Sequence, residues 1–87
     1  MKKYKNKLKY RSWHRGTKEA DLFLGSFFDK YSSKMTQQDL ALYEKFLNLV
    51  DDNELLYIVK GKKKWRSSFP AKIVILIEEF IKSEDIR

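Results

Sequence analysis

The chain has no cysteine, a single histidine, one proline and only three glycines. Without cysteine there is no disulfide framework, no thiolate zinc site and no sulfur nucleophile, a composition that fits a reducing compartment. With His14 as the sole imidazole, a histidine metal site cannot be assembled from one chain, and any imidazole acid–base scheme rests on one residue. Three glycines leave no glycine-rich phosphate loop, and neither H-E-x-x-H nor a nucleophile elbow occurs. Long apolar runs are missing as well: the longest, Ile73–Ile77, is far short of the ~18–20 residues that a membrane span needs. No reaction class has its residues here, so the chain reads as a binding protein and not as an enzyme, with no metal, no cofactor of its own and no stable membrane association.

No apolar core of a signal peptide follows the basic start. Residues 1–14 are basic and acid-free, as in a mitochondrial transit peptide, but they are lysine-rich and not arginine- and serine-rich. The expectation is a bacterial cytoplasmic protein starting at its own Met1 and acting as a monomer.

What is present is apolar content and charge in blocks. Hydrophobic residues make up 43% of the chain and aromatic residues 15%, enough for one folded domain over residues 1–87 but only a modest core. Net charge is +7. Residues 1–18 hold eight basic and no acidic groups, and Lys60–Arg66 holds five more basic ones. Between them, residues 19–59 carry three basic and eight acidic groups. Basic segments thus flank an acidic middle, a pattern that steers toward a partner of mixed charge as readily as toward nucleic acid. The basic stretches 1–7 and 61–68 are the candidates for flexibility.

Helix signals recur along the chain and strand signals are nearly absent. Tyr4, Leu8 and Arg11 or Ser12 give a weakly amphipathic first helix over residues 4–13. After Gly16, Thr17 can cap a second helix, with Glu19 and Asp21 in its first turns, where carboxylates suit the positive end of the helix dipole. Ala20, Leu24, Phe27, Phe28 and Tyr31 recur at three- and four-residue spacing as its buried stripe. "YSSK" closes it. Thr36 and Asp39 then form a capping box, flanked by a Met35–Leu40 hydrophobic staple, and Leu40, Tyr43, Phe46, Leu47 and Val50 face inward. The same grammar repeats with Asp51 as cap, Glu54 as box residue and Val50–Leu55 as staple. This short fourth helix ends at Gly61, a C-cap glycine. "KKKWRSS" reads as an exposed linker, and Pro70 fits the first turn of a last helix over Phe69–Lys82. "KIVILIEEFI" is β-branched enough for a strand, but one strand in a helical domain has no partner. The fold class is all-α, a compact bundle of about five short helices.

Three clusters could carry function. Asp51, Asp52 and Glu54 could surround a hard cation, but their spacing is that of a helix cap. Lys2–Lys9 and Lys60–Arg66, interleaved with Tyr4, Tyr10, Trp13 and Trp65, mix phosphate binding with base stacking. The same mixture arises from solvated chain ends, and no helix carries a base-reading face. A small basic helical nucleic-acid-binding protein is therefore the alternative reading. The third cluster is Trp13–Asp21. Gly16 lets another backbone approach closely, Arg15 offers a planar fork, and Glu19 can accept from a partner's arginine or amide. Trp13 and His14 are amphipathic flanks of the kind found at interfaces. Arg15 and Glu19 could equally form a local salt bridge that only pins the turn, and spacing leaves docking surface and structural turn open.

Arg15-Gly16-Thr17-Lys18-Glu19 is an R-G-x-x-E signature, followed by Asp21, Phe27-Phe28, Tyr31 and the "FLNLVDDNEL" junction. Over residues 8–61 the chain resembles the small bacterial and mitochondrial assembly factors that promote covalent attachment of FAD to succinate dehydrogenase. That resemblance implies a five-helix protein without catalytic chemistry that binds the flavoprotein subunit, with fumarate reductase as a second client. FAD would be attached to the client, and a nucleic-acid partner would play no part. It also implies that Arg15, Gly16 and Glu19 contact the client and that Asp21 supports the same surface; with the adjoining Trp13, His14 and Thr17 they make up the candidate partner-binding set. The lysine-rich start, "KKKWRSS" and "IVILI" lie outside the matching pattern.

Overall fold

The computed structural model describes residues 2–87. Its elements are α1 (Lys2–Trp13), α2 (Lys18–Tyr31), a single 3₁₀ turn (Ser32–Lys34), α3 (Gln37–Leu49), α4 (Asp52–Val59) and α5 (Ala71–Ser83). The expected all-α bundle is what forms, and no strand occurs among the described residues. The β-branched "KIVILIEEFI" is helical because Ile73, Ile77, Phe80 and Ile81 bury one stripe of α5, whereas Ile75 stays exposed.

Local signals set most of the boundaries. Thr17 accepts from the Ala20 N–H at the start of α2. Thr36 and Asp39 close a reciprocal capping box on α3. Asp51 accepts from the Asn53 and Glu54 N–H groups. α4 ends in a Schellman arrangement: Gly61, at φ +77°, donates to the Ile58 carbonyl, and Lys62 donates to Tyr57.

The core is aromatic. Phe27, Phe28, Tyr43 and Phe46 are all but fully buried, with Phe28 stacked on Tyr43 at 5.1 Å and Phe80 of α5 edge-on to Phe23 and Phe27. The Tyr43 hydroxyl is satisfied by Ser12 at 2.6 Å, and Ser12 donates to the Leu8 carbonyl, so one buried polar chain ties α1 to α3. Burial pushes the Tyr43 hydroxyl pKa well above its ordinary range.

α1 crosses α2 at a seat that sequence reading missed. Gly25 lies in the middle of α2 against the Trp13 indole, and a methyl group there would sit inside the ring's van der Waals envelope. The reason for a helix-interior glycine is therefore close packing, not a turn.

Two readings need correction. "KKKWRSS" is exposed except at Trp65, which is half-buried between Phe46 and Phe69 and whose indole N–H donates to Glu78 at 2.7 Å. Glu54 is held by Arg66 in a two-pronged ion pair at 2.6 and 3.1 Å, so its carboxylate serves the tertiary fold.

Three carboxyls sit below their ordinary pKa. Asp39 is lowered by the Thr36 N–H and by Lys72, Glu54 by Arg66, and Glu78 by Arg87. Because the folded pKa lies below the unfolded value, their stabilisation is complete above about pH 5 and is lost as pH falls through the folded values. Urea unfolding across pH 2–7 is expected to show a plateau above pH 5 and a decline below 4, and Glu54→Gln should flatten that decline. Gly25→Ala is expected to destabilise the bundle. Overpacking costs about 1–3 kcal/mol, more than the ~1 kcal/mol gained in helix propensity, and Trp13→Leu in the same chain should restore part of the loss in thermal melts.

Candidate functional site

The stretch between α1 and α2 is three residues of irregular backbone, His14–Gly16, ahead of the Thr17 cap. Gly16 takes φ +129°, a conformation closed to residues with a Cβ, and it is exposed. The Asp21 carboxylate, one turn into α2, accepts from the Arg15 and Gly16 N–H groups and folds the turn back onto the helix start. Thr17 is half-buried, and its hydroxyl is committed to the cap.

Arg15 is not a fork free for a partner. Its guanidinium donates to Asp52 at 3.0 Å, to the Leu47 carbonyl at 2.9 Å and to the Val50 carbonyl at 2.7 Å, with only 13% of the side chain exposed. The Arg15–Glu19 bridge, one of the two alternatives that spacing left open, does not form. The cause is the α3–α4 junction, which presents carbonyls left unpaired at a helix C-terminus next to a carboxylate. α3 has no basic residue in its own last turn, and the dipole there favours a cation. Arg15 supplies that cation from outside the helix, and Arg66 does the same at the Leu49 carbonyl.

Glu19 points the other way. It is exposed, and among the described residues it joins no ion pair or side-chain hydrogen bond. The junction thus separates the signature into a buried latch, Arg15, and an outer face made of the Gly16 backbone and the Glu19 carboxylate. Asp52 belongs to the latch, yet sequence reading took it for part of a cap. A carboxylate three residues beyond an α3 end that lacks a basic residue is the only signal that could have marked it.

The flanks divide as well. Trp13 is partly buried on Gly25. His14 is exposed, stacks on Tyr10 at 3.9 Å, and its Nδ1 lies 2.8 Å from the Tyr10 carbonyl oxygen. The basic clusters are partly neutralised within the fold. Lys7 and Arg11 approach Glu44, Lys9 approaches Asp29, and Lys63 and Arg66 approach Glu54. Asp51 and Glu54 face a helix start and Arg66, and no group of three ligating side chains forms a metal cage among the described residues.

Arg15→Lys is expected to cost about 2 kcal/mol or more, because one ammonium cannot hold Asp52 and two carbonyls together. Glu19→Ala should stay within about 0.5 kcal/mol of the parent. Chemical denaturation of the two variants checks the division, and a neutral Arg15→Lys would refute the latch.

Comparison with known proteins bears on this site. The model of a family described as flavinator of succinate dehydrogenase matches residues 6–81. Among curated proteins, the mitochondrial succinate dehydrogenase assembly factor 2 of Saccharomyces cerevisiae strain S288c is 31% identical over 91 aligned positions, covering 98% of this chain and 54% of that protein. Its counterpart from Lodderomyces elongisporus is 33% identical over 85 positions, covering 91% and 50%. That of Drosophila grimshawi is 29% identical over 82 positions, covering 93% and 56%. The chain spans about half the length of the curated relatives it matches. No solved structure matches. The expectation of a bacterial cytoplasmic protein is overturned, since these relatives are mitochondrial proteins of yeasts and flies. The nucleic-acid alternative finds no support among them.

Proposed function

Because the chain belongs to the family of flavinators of succinate dehydrogenase, we propose that it is an assembly factor that binds the flavoprotein subunit of that enzyme and promotes covalent attachment of FAD to it. The observation that carries this reading is the family match over residues 6–81. Fumarate reductase's flavoprotein is a second client of the same kind. The factor supplies no cofactor and no acid–base group. It acts by binding, holding the client's flavin and the residue that attacks it in reactive geometry, which is where orientation lowers a barrier.

The exposed Gly16 backbone, Glu19 and His14 make the contact. Arg15, Asp21 and Thr17 hold that contact in shape from beneath, and Trp13 fixes its height above α2. A turn latched at three points needs little ordering on association, so less of the binding free energy is lost to conformational entropy.

The direct test is co-purification with the flavoprotein subunit, followed by flavin fluorescence of the denatured client in a gel. Protein-bound flavin should rise with the factor present; no rise would refute the assignment. Gly16→Arg should lower the melting temperature through backbone strain of about 1–3 kcal/mol, keep its helical content, and lose the client. Gly16→Ala carries similar strain without the bulk and should retain most client binding. Glu19→Ala should lose flavinylation while melting like the parent.

A further inference from the structure

The outer face of α1 carries a surface groove of which only the far end, at Trp13 and His14, belongs to the contact described above. Asn6, Lys9, Tyr10, Trp13 and His14 line one open, mainly apolar groove along it. Their spacing of three and four residues puts them on a single stripe, and Lys2 and Lys3 extend that stripe by a further turn. Tyr10 is 64% exposed, yet its ring is already ordered by the stack with His14, at 3.9 Å and 16° between planes. Tyrosine is enriched among the residues that carry binding energy at interfaces, and one already ordered loses less freedom on binding. The groove ends at Trp13 and His14, so it runs directly into the Gly16 turn.

Charge identifies the occupant. α1 carries six basic residues and no acidic one. Among the described residues, the one carboxylate from another element that pairs with this face is Asp29, 3.8 Å from Lys9 with both side chains exposed. A pair of that kind is worth little and exchanges readily for a partner's carboxylate. Lys7 and Arg11 turn the other way, toward Glu44.

We propose that this face is a second docking surface, taking an acidic segment of the client flavoprotein that lays one aromatic or aliphatic side chain on the Tyr10–His14 shelf and sets its carboxylates against Lys2, Lys3 and Lys9. The proposal rests on the function proposed above and extends its contact from the turn along α1. An acidic protein segment suits the groove better than RNA does. The groove floor is mainly apolar and a few side chains long, which one apolar side chain of a protein segment covers and a polyanionic phosphate backbone does not.

The test measures the affinity of the intact factor for the purified flavoprotein subunit at two salt concentrations. Tyr10→Ser is expected to weaken binding about tenfold or more at both, the loss of one aromatic anchor, and Tyr10→Phe should restore it. The Lys2, Lys3 and Lys9 to Glu triple variant should weaken binding at low salt, mainly through slower association, with the difference shrinking toward 1 M salt. All three variants should melt like the parent. If the parent binds the client and Tyr10→Ser and the triple variant bind equally well, the second surface is refuted and the assembly-factor reading stands. If the parent does not bind the client, both fall. Capture of a uridine 12-mer by the parent but not by these variants would assign the face to RNA and overturn the proposal.

Discussion

The rest of the molecule depends on the guanidinium of Arg15. It sits where three chain segments meet: the turn after α1, the carbonyl end of α3 and the first residue of α4. Each of its contacts satisfies a group that would otherwise face the interior alone, two helix-end carbonyls and one half-buried carboxylate. Removing the side chain would therefore leave three groups unpaired at once. Asp21 does the complementary work on the backbone side, accepting from the N–H groups of Arg15 and Gly16.

The same device recurs across the fold. α3 and α4 have no basic residue in their last turns, and arginines from other segments cap them. Arg15 and Arg66 reach the carbonyls of α3. Arg87 reaches the Ile58 and Val59 carbonyls of α4 while its other edge holds Glu78. A planar fork with five donors can close a helix end and an ion pair together, which an ammonium cannot. Short helices stabilised this way are fastened to one another through their ends as well as through their apolar faces. Arg66, one of the basic residues that suggest nucleic acid in the bare sequence, is committed to the fold for this reason.

Function follows from what the latch leaves outside. With the interior side of the turn fully occupied, the exposed side consists of a glycine backbone, a carboxylate and a stacked histidine. Groups of this kind suit binding and orientation, which is the work proposed for a flavinylation factor whose client brings the flavin. Rigidity matters more than reactivity in such a task, because every loose torsion at the contact must be frozen on binding. The Trp13–Gly25 contact sets the α1–α2 crossing and so gives the groove on α1 and the turn beyond it a common frame.

By itself the sequence determined the elements: the caps at Thr17, Thr36 and Asp51, the glycine at the end of α4, and the apolar stripes of α2, α3 and α5. These are decided by neighbours within four residues, so period and capping chemistry reveal them. The signature was legible too, as a candidate. Only the tertiary structure decided which of its residues look inward. Arg15 finds Asp52, 37 residues away, and not Glu19, four away, because helix-end carbonyls and a carboxylate together outcompete one exposed carboxylate in water. The anchoring of Trp65 and Arg66, the capping by Arg87 and the seat at Gly25 were hidden for the same reason. Each depends on a partner that only folding brings near, and a local pattern carries no record of it.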